Sequence, residues 1–175
     1  MYIWVGIAVD SQLLEIGKLA KRAMGEAGCV PQGEALPLHV SLKISFEVPD
    51  ARVGEVIADI KEIYRGTGAF PMSVAGIEYC GVITWVAIKR SRELDALHDG
   101  LNRVLEEKYG VPLHEYDRDY KYHSTLYMDD DAEKVRKVYE RIRGASLPET
   151  IMAKDFLIGT SESGKPGTYR VCAYC

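Results

Sequence analysis

The chain has 175 residues, 47% of them hydrophobic and 27% charged, a composition that suits one globular domain and excludes wholesale disorder. Its net charge is −4, from 22 Lys+Arg against 26 Asp+Glu. That argues against coating a long polyanion, which usually takes a basic surface, and leaves open a local site for a small phosphate or a nucleic-acid end. In chain order, the apolar run Tyr2–Val9 reads as a strand. Asp10 ends it and no basic segment precedes it, so no secretion signal is expected. Cys29, Cys80, Cys172 and Cys175 are accordingly expected to be reduced thiols of a cytoplasmic protein. Met1–Val9 and Val82–Ile88 are the longest apolar stretches. Both fall far short of the roughly 20 residues that span a bilayer, so no membrane association is expected.

A helix is expected from Ser11, with Leu13, Ile16, Leu19, Ala20 and Ala23 on one face. The run Leu38–Phe46 reads as a strand. Asp50 then opens a helix whose stripe is Val53, Val56, Ile57, Ile60, Ile63 and Tyr64. Two strands follow, Phe70–Tyr79 and Val82–Lys89. Ser91 opens a third helix, with Leu94, Leu97, Leu101, Val104 and Leu105 on its apolar face. The strand Lys121–Met128 comes next. Asp130 with Glu133 resembles a capping box before Val135, Val138, Tyr139 and Ile142. The last strands are Ile151–Thr160 and Thr168–Tyr174, joined by a hairpin turn over Gly164–Gly167.

The order is β-α-β-α-β, then β-α-β-α-β-β, which suggests a duplication. Residue echoes agree. Trp4-Val5-Gly6-Ile7 answers Trp85-Val86-Ala87-Ile88, His39-Val40-Ser41-Leu42 answers His123-Ser124-Thr125-Leu126, and Asp50 answers Asp130. The expected fold is α+β and bilobal: two pseudo-symmetric antiparallel-sheet lobes with outer helices and a central cleft. One domain covers residues 1–175, its repeats run over about 1–80 and 81–175, and the hinge falls near Cys80–Gly81. Trp4 and Trp85 are read as core residues of equivalent strands.

Strand residues i and i+2 share a face. Alternation therefore puts His39, Ser41 and Lys43 on one face of the first motif strand, opposite Leu38, Val40, Leu42 and Ile44. In the second it groups Lys121, His123, Thr125 and Tyr127. Each lobe offers an imidazole beside a hydroxyl. Such a pair suits phosphodiester cleavage without metal. One histidine takes a proton from the attacking group, the other gives one to the leaving oxygen, and the hydroxyls hold the non-bridging oxygens. Lys43, Lys121 and Tyr127 are the candidate substrate contacts. One of the tyrosines near the second motif (Tyr116, Tyr120, Tyr122, Tyr127) is a candidate stacking surface for a base.

These two motifs resemble the paired His-x-Thr/Ser signature of the 2H phosphoesterases, the LigT-like or 2′-5′ RNA ligase-like superfamily. The segment Val82–Ile88, with Ser91 and its helix, resembles the family's middle strand and helix. The resemblance implies a bilobal fold and no metal or other cofactor. It also implies action on a nucleotide or RNA end bearing a 2′,3′-cyclic phosphate or a 2′-5′ linkage, as in RNA processing. It makes His39 and His123 the acid–base pair and Ser41 and Thr125 the phosphate holders; which histidine is acid and which is base stays open, with a lean to His123 as base and His39 as acid. The bacterial ligase-like branch often has a small residue and then Arg after its second motif. Here those positions are Tyr127 and Met128, which bears on the substrate more than on the reaction class. The expected protein is a monomeric hydrolase. The alternative is a non-catalytic nucleotide or RNA-end binding module of the same fold.

Overall fold

The computed structural model describes residues 1–29 and 36–175. Eight strands and four helices follow one another: β1 (Tyr2–Ala8), α1 (Leu14–Glu26), β2 (His39–Glu47), α2 (Val53–Thr67), β3 (Phe70–Cys80), β4 (Ile83–Ile88), α3 (Arg92–Tyr109), β5 (His123–Met128), α4 (Ala132–Ile142), β6 (Thr150–Ala153), β7 (Phe156–Ser161) and β8 (Arg170–Tyr174). They form two four-stranded antiparallel sheets, ordered β2-β1-β7-β8 and β5-β4-β3-β6. The orders match strand for strand, so the fold is the duplicated bilobal α+β arrangement.

The sheets are not consecutive halves of the chain. β3, from the first half, joins the sheet of β4, and β7 and β8, from the second half, complete the sheet of β1. Each half lends strands to the other. The expected hinge at Cys80–Gly81 is instead the tight turn between β3 and β4, with Gly81 at φ 60°. The expected single strand over Ile151–Thr160 is two. It breaks after Ala153 because β6 pairs with β3 in one sheet and β7 with β1 in the other.

The helices follow the apolar stripes and bury Ile16, Ala20 and Ala23 in α1, Val56, Ile60 and Tyr64 in α2, Leu94, Leu97, Leu101 and Leu105 in α3, and Val135, Val138 and Ile142 in α4. One continuous apolar cluster joins these faces to Ile3, Val5, Ile7 and Val40 of the first sheet and to Val86 and Ile88 of the second. The lobes thus share a core, and neither buries its own apolar face alone. Ser91 caps α3 as expected, its Oγ accepting from Leu94 N at 3.2 Å, a contribution of about 1 kcal/mol. Three other start signals differ. Asp131 rather than Asp130 caps α4, accepting from the amides of Glu133 and Lys134. Asp50 heads a 3-10 turn over Asp50–Arg52 and binds the terminal amine of Met1 at 2.8 Å. α1 begins at Leu14 with no side-chain cap, so Ser11 does not start it.

Candidate active site

The motif strands β2 and β5 are edge strands, one per sheet, and they lie against each other. Within each, the imidazole and the hydroxyl two residues on share a face, and His39, Ser41, His123 and Thr125 are all partly exposed. After the hydroxyl, each strand breaks its alternation. Val5 pairs with Lys43 but Gly6 with Ser41, leaving Leu42 as an extra residue on β2. Thr84 pairs with Tyr127 but Trp85 with Thr125, leaving Leu126 as an extra residue on β5. A bulge of this kind inserts one residue and reverses which way the next one points. The two bulges occupy the same place in both motifs, a structural echo of the duplication.

Both histidines are anchored alike. His39 Nδ1 lies 2.7 Å from Pro37 O, and His123 Nδ1 lies 2.7 Å from Lys121 O. A carbonyl only accepts, so each Nδ1 donates, and Nε2 is the nitrogen left to exchange a proton with substrate. Burial pushes both imidazoles below the ordinary histidine value, and the backbone bonds offset part of the shift. His39 is pushed down further by the charge on His123. The repulsion is mutual, so the two rings titrate as a coupled pair and the second proton enters at a lower pH than the first. An NMR titration of the imidazole C–H resonances is expected to show two coupled steps, both below the ordinary histidine value. His123→Ala is expected to raise the His39 midpoint, and an unmoved midpoint would refute the coupling. The pair with one proton is most populated between the two midpoints. The kcat/KM profile of the free protein should then peak below the ordinary histidine value of about 6.5.

An indole stands beside each imidazole. Trp4 meets His39 edge-on with ring centroids 4.3 Å apart, and Trp85 is tilted against His123 at 5.0 Å. By strand register the two tryptophans are not equivalents. Trp85 lies opposite Thr125, the place that Gly6 holds opposite Ser41. Trp4 is two residues earlier and reaches across Gly6, and its Nε1 donates to Ser41 Oγ at 3.0 Å. A cavity of about 670 Å³ opens onto Trp4, His39, Ser41 and Thr125 and runs along α1 past Leu14, Ala20 and Met24.

Two of the three candidate substrate contacts sit elsewhere than alternation puts them. The bulge at Leu42 turns Lys43 inward. It is 2% exposed and pairs with the buried Asp117 carboxylate at 2.6 Å. The bulge at Leu126 turns Tyr127 inward as well. Its ring forms part of the cavity wall, and its hydroxyl donates to Asp129 at 2.6 Å. Lys121 is exposed, lies before the start of β5 and offers its carbonyl to His123. Among the other tyrosines, Tyr120 and Tyr122 are buried around His98, and Tyr116 is exposed. Sequence reasoning missed His98 and Asp117. His98 Nδ1 donates to Leu42 O at 2.7 Å, and its Nε2 lies 2.9 Å from Asn102 Nδ2 and 3.1 Å from Asp117 O. The bulge itself is thus held from α3. No sequence pattern marks that contact, because α3 and β2 are far apart in the chain.

A family model described as the 2′-5′ RNA ligase superfamily matches residues 9–161, and the chain belongs to that superfamily, within the 2H phosphoesterases. No curated protein matches the chain in sequence. Among solved structures, E. coli LigT complexed with 3′-AMP is similar at 14% identity and a TM-score of 0.58, over 99% of this chain and 95% of that one. E. coli LigT complexed with NADP+ is similar at 14% identity and 0.60, over 98% and 94%. TT0787 of Thermus thermophilus is similar at 16% identity and 0.60, over 99% and 96%. At these identities the likeness establishes the shared fold.

Proposed function

We propose that this protein is a phosphoesterase that opens a 2′,3′-cyclic phosphate, or cleaves a related nucleotide or RNA-end phosphodiester, by two-histidine acid–base catalysis. The observation that carries the reading is the paired geometry. Two imidazoles on abutting edge strands are each anchored through Nδ1 to the carbonyl two residues back, and each has a hydroxyl two residues on. One neutral imidazole takes a proton from water as its oxygen attacks phosphorus. The opposite P–O bond breaks, and the other imidazole, protonated, gives its proton to the leaving ribose oxygen. Ser41 and Thr125 donate to the non-bridging oxygens, where charge grows. Which imidazole gives the proton and which takes it is read from the limb of the pH profile that each single variant loses. The bound phosphodiester is a monoanion, and its charge favours protonation of the imidazoles beside it. The apolar arm of the cavity, past Leu14, Ala20 and Met24, receives the base. The LigT structures complexed with 3′-AMP and NADP+ support a nucleotide as occupant. All four motif residues come from one chain, which supports a monomer as the working unit.

The test is turnover of 2′,3′-cyclic nucleotides with each of the common bases. Because side chains are assigned both proton transfers and the charge stabilisation, activity is expected to persist in EDTA and to yield one product isomer. Binding of 3′-AMP with no turnover across the panel and across 2′-5′-linked dinucleotides would favour the binding module instead.

A further inference from the structure

We propose that Trp4 is a positioning residue for the first motif: its indole N–H fixes the Ser41 hydroxyl so that the Ser41 proton is left to point at the phosphate. The inference rests on the two-histidine reading and assigns a role to a side chain that its place on a strand of the repeat puts in the core. A serine hydroxyl has one proton and two lone pairs. An unrestrained Oγ–H rotates, and part of its population points away from substrate. In this site Trp4 Nε1 occupies one lone pair at 3.0 Å. The same indole packs edge-on against His39 at 4.3 Å, so a single side chain braces both groups of the motif.

The surrounding chain is shaped to admit that indole. Trp4 and Gly6 share a face of β1, and Gly6 lies opposite Ser41. A Cβ on Gly6 would stand 2.8 Å from Trp4 Cη2 and 2.9 Å from Val40 O, closer than such contacts occur. On the far side Trp4 lies opposite Gly159 of β7, where a Cβ would stand 3.1 Å from Trp4 Cε3. The ring is therefore laid over two backbone positions without side chains. Leu157 and Tyr169 pack with it in a small apolar cluster separate from the main core. The second lobe has no counterpart. Trp85 occupies the register position of Gly6, and among the described residues it makes no hydrogen bond to Thr125. The first hydroxyl is thus held in advance and the second is not.

A double-variant cycle tests this. Trp4→Phe keeps a ring against His39 and removes the N–H. It is expected to lower kcat about 5- to 10-fold with KM within about twofold, the scale of one hydrogen bond. Ser41→Ala is expected to cost about 10²-fold. Since Trp4 acts through Ser41, the double variant should be no slower than Ser41→Ala alone. Multiplied losses, near 10³-fold, would overturn the proposal and leave the histidine reading standing. Parental kcat in His123→Ala would instead overturn that reading. A readout independent of turnover is the Trp4 indole N–H resonance. It is expected to move upfield in both Ser41→Ala and Gly6→Ala, at melting temperatures that show a folded chain. An unmoved resonance in Ser41→Ala would overturn the bond itself.

Discussion

His39→Ala and His123→Ala are each expected to lower kcat on a 2′,3′-cyclic nucleotide by about 10²- to 10⁴-fold, the span one acid or base contributes. Melting temperatures are expected to change little, because both rings are partly exposed and, among the described residues, each makes one hydrogen bond, to a carbonyl two residues away. The two losses should not multiply in the double variant, since acid and base serve one transition state. The pH profile then separates the roles. The group that acts as base must be neutral, so it produces the acid limb of the bell. The group that acts as acid must be protonated, so it produces the alkaline limb. Each single variant should lose one limb and keep the other, as read from kcat/KM between about pH 4 and 9. Both midpoints lie below the ordinary histidine value because burial lowers them. Stability follows the same sign. Below about pH 6.5 the unfolded chain binds more protons than the folded one, so stability falls with acidification. A His123→Ala protein that retains near-parental kcat would remove the two-histidine mechanism.

Much of this site is legible from local pattern. Each histidine and its hydroxyl are two residues apart on a strand, and period-2 alternation suffices to put them on one face. The stripes that seat α2, α3 and α4 are equally local. The legibility ends at Leu42 and Leu126, because a bulge depends on the partner strand and leaves no mark in the motif. Alternation continued past it puts the Lys43 and Tyr127 side chains beside their motif hydroxyls; the structure withdraws Lys43 into a buried ion pair and sets Tyr127 in the wall of the cavity. The strand exchange is hidden for a related reason. Ile151–Thr160 reads as one strand although Lys154 and Asp155 are weak strand formers, and its two parts pair with different sheets on either side of them. Trp4 is a milder case. The sign that its indole lies flat is Gly6, two residues on and on the same face, but which ring neighbours that space depends on the register of β2 and β7.

Lys43 carries the other large expected effect, and on stability before activity. Its ammonium and the Asp117 carboxylate are both taken out of water and meet at 2.6 Å. Asp117 also accepts from the backbone amide of His114 at 2.9 Å. Removing one partner of such a pair leaves a buried charge uncompensated, at a cost of about 3–5 kcal/mol. Lys43→Met is therefore expected to lower the unfolding free energy by that amount in urea, a large part of the stability of an ordinary domain. Replacing both partners removes the stranded charge as well as the bond. Lys43→Met with Asp117→Leu is expected to recover most of the loss, since apolar replacements of buried pairs are often neutral or stabilising. The double variant then exposes the second consequence. Asp117 lies in the segment between α3 and β5, and Lys43 follows the bulge after Ser41, so the ion pair ties the first motif strand to the chain that leads into His123. With the tie replaced by apolar contact, the folded protein should still lose about 10-fold in kcat, because misplacing a catalytic group by about 1 Å can cost up to about 10²-fold. Recovery of both stability and kcat would show that His98, through its bond to Leu42 O, holds the strand without the pair. Recovery of neither would mean that the cavity, not the charge, governs this position.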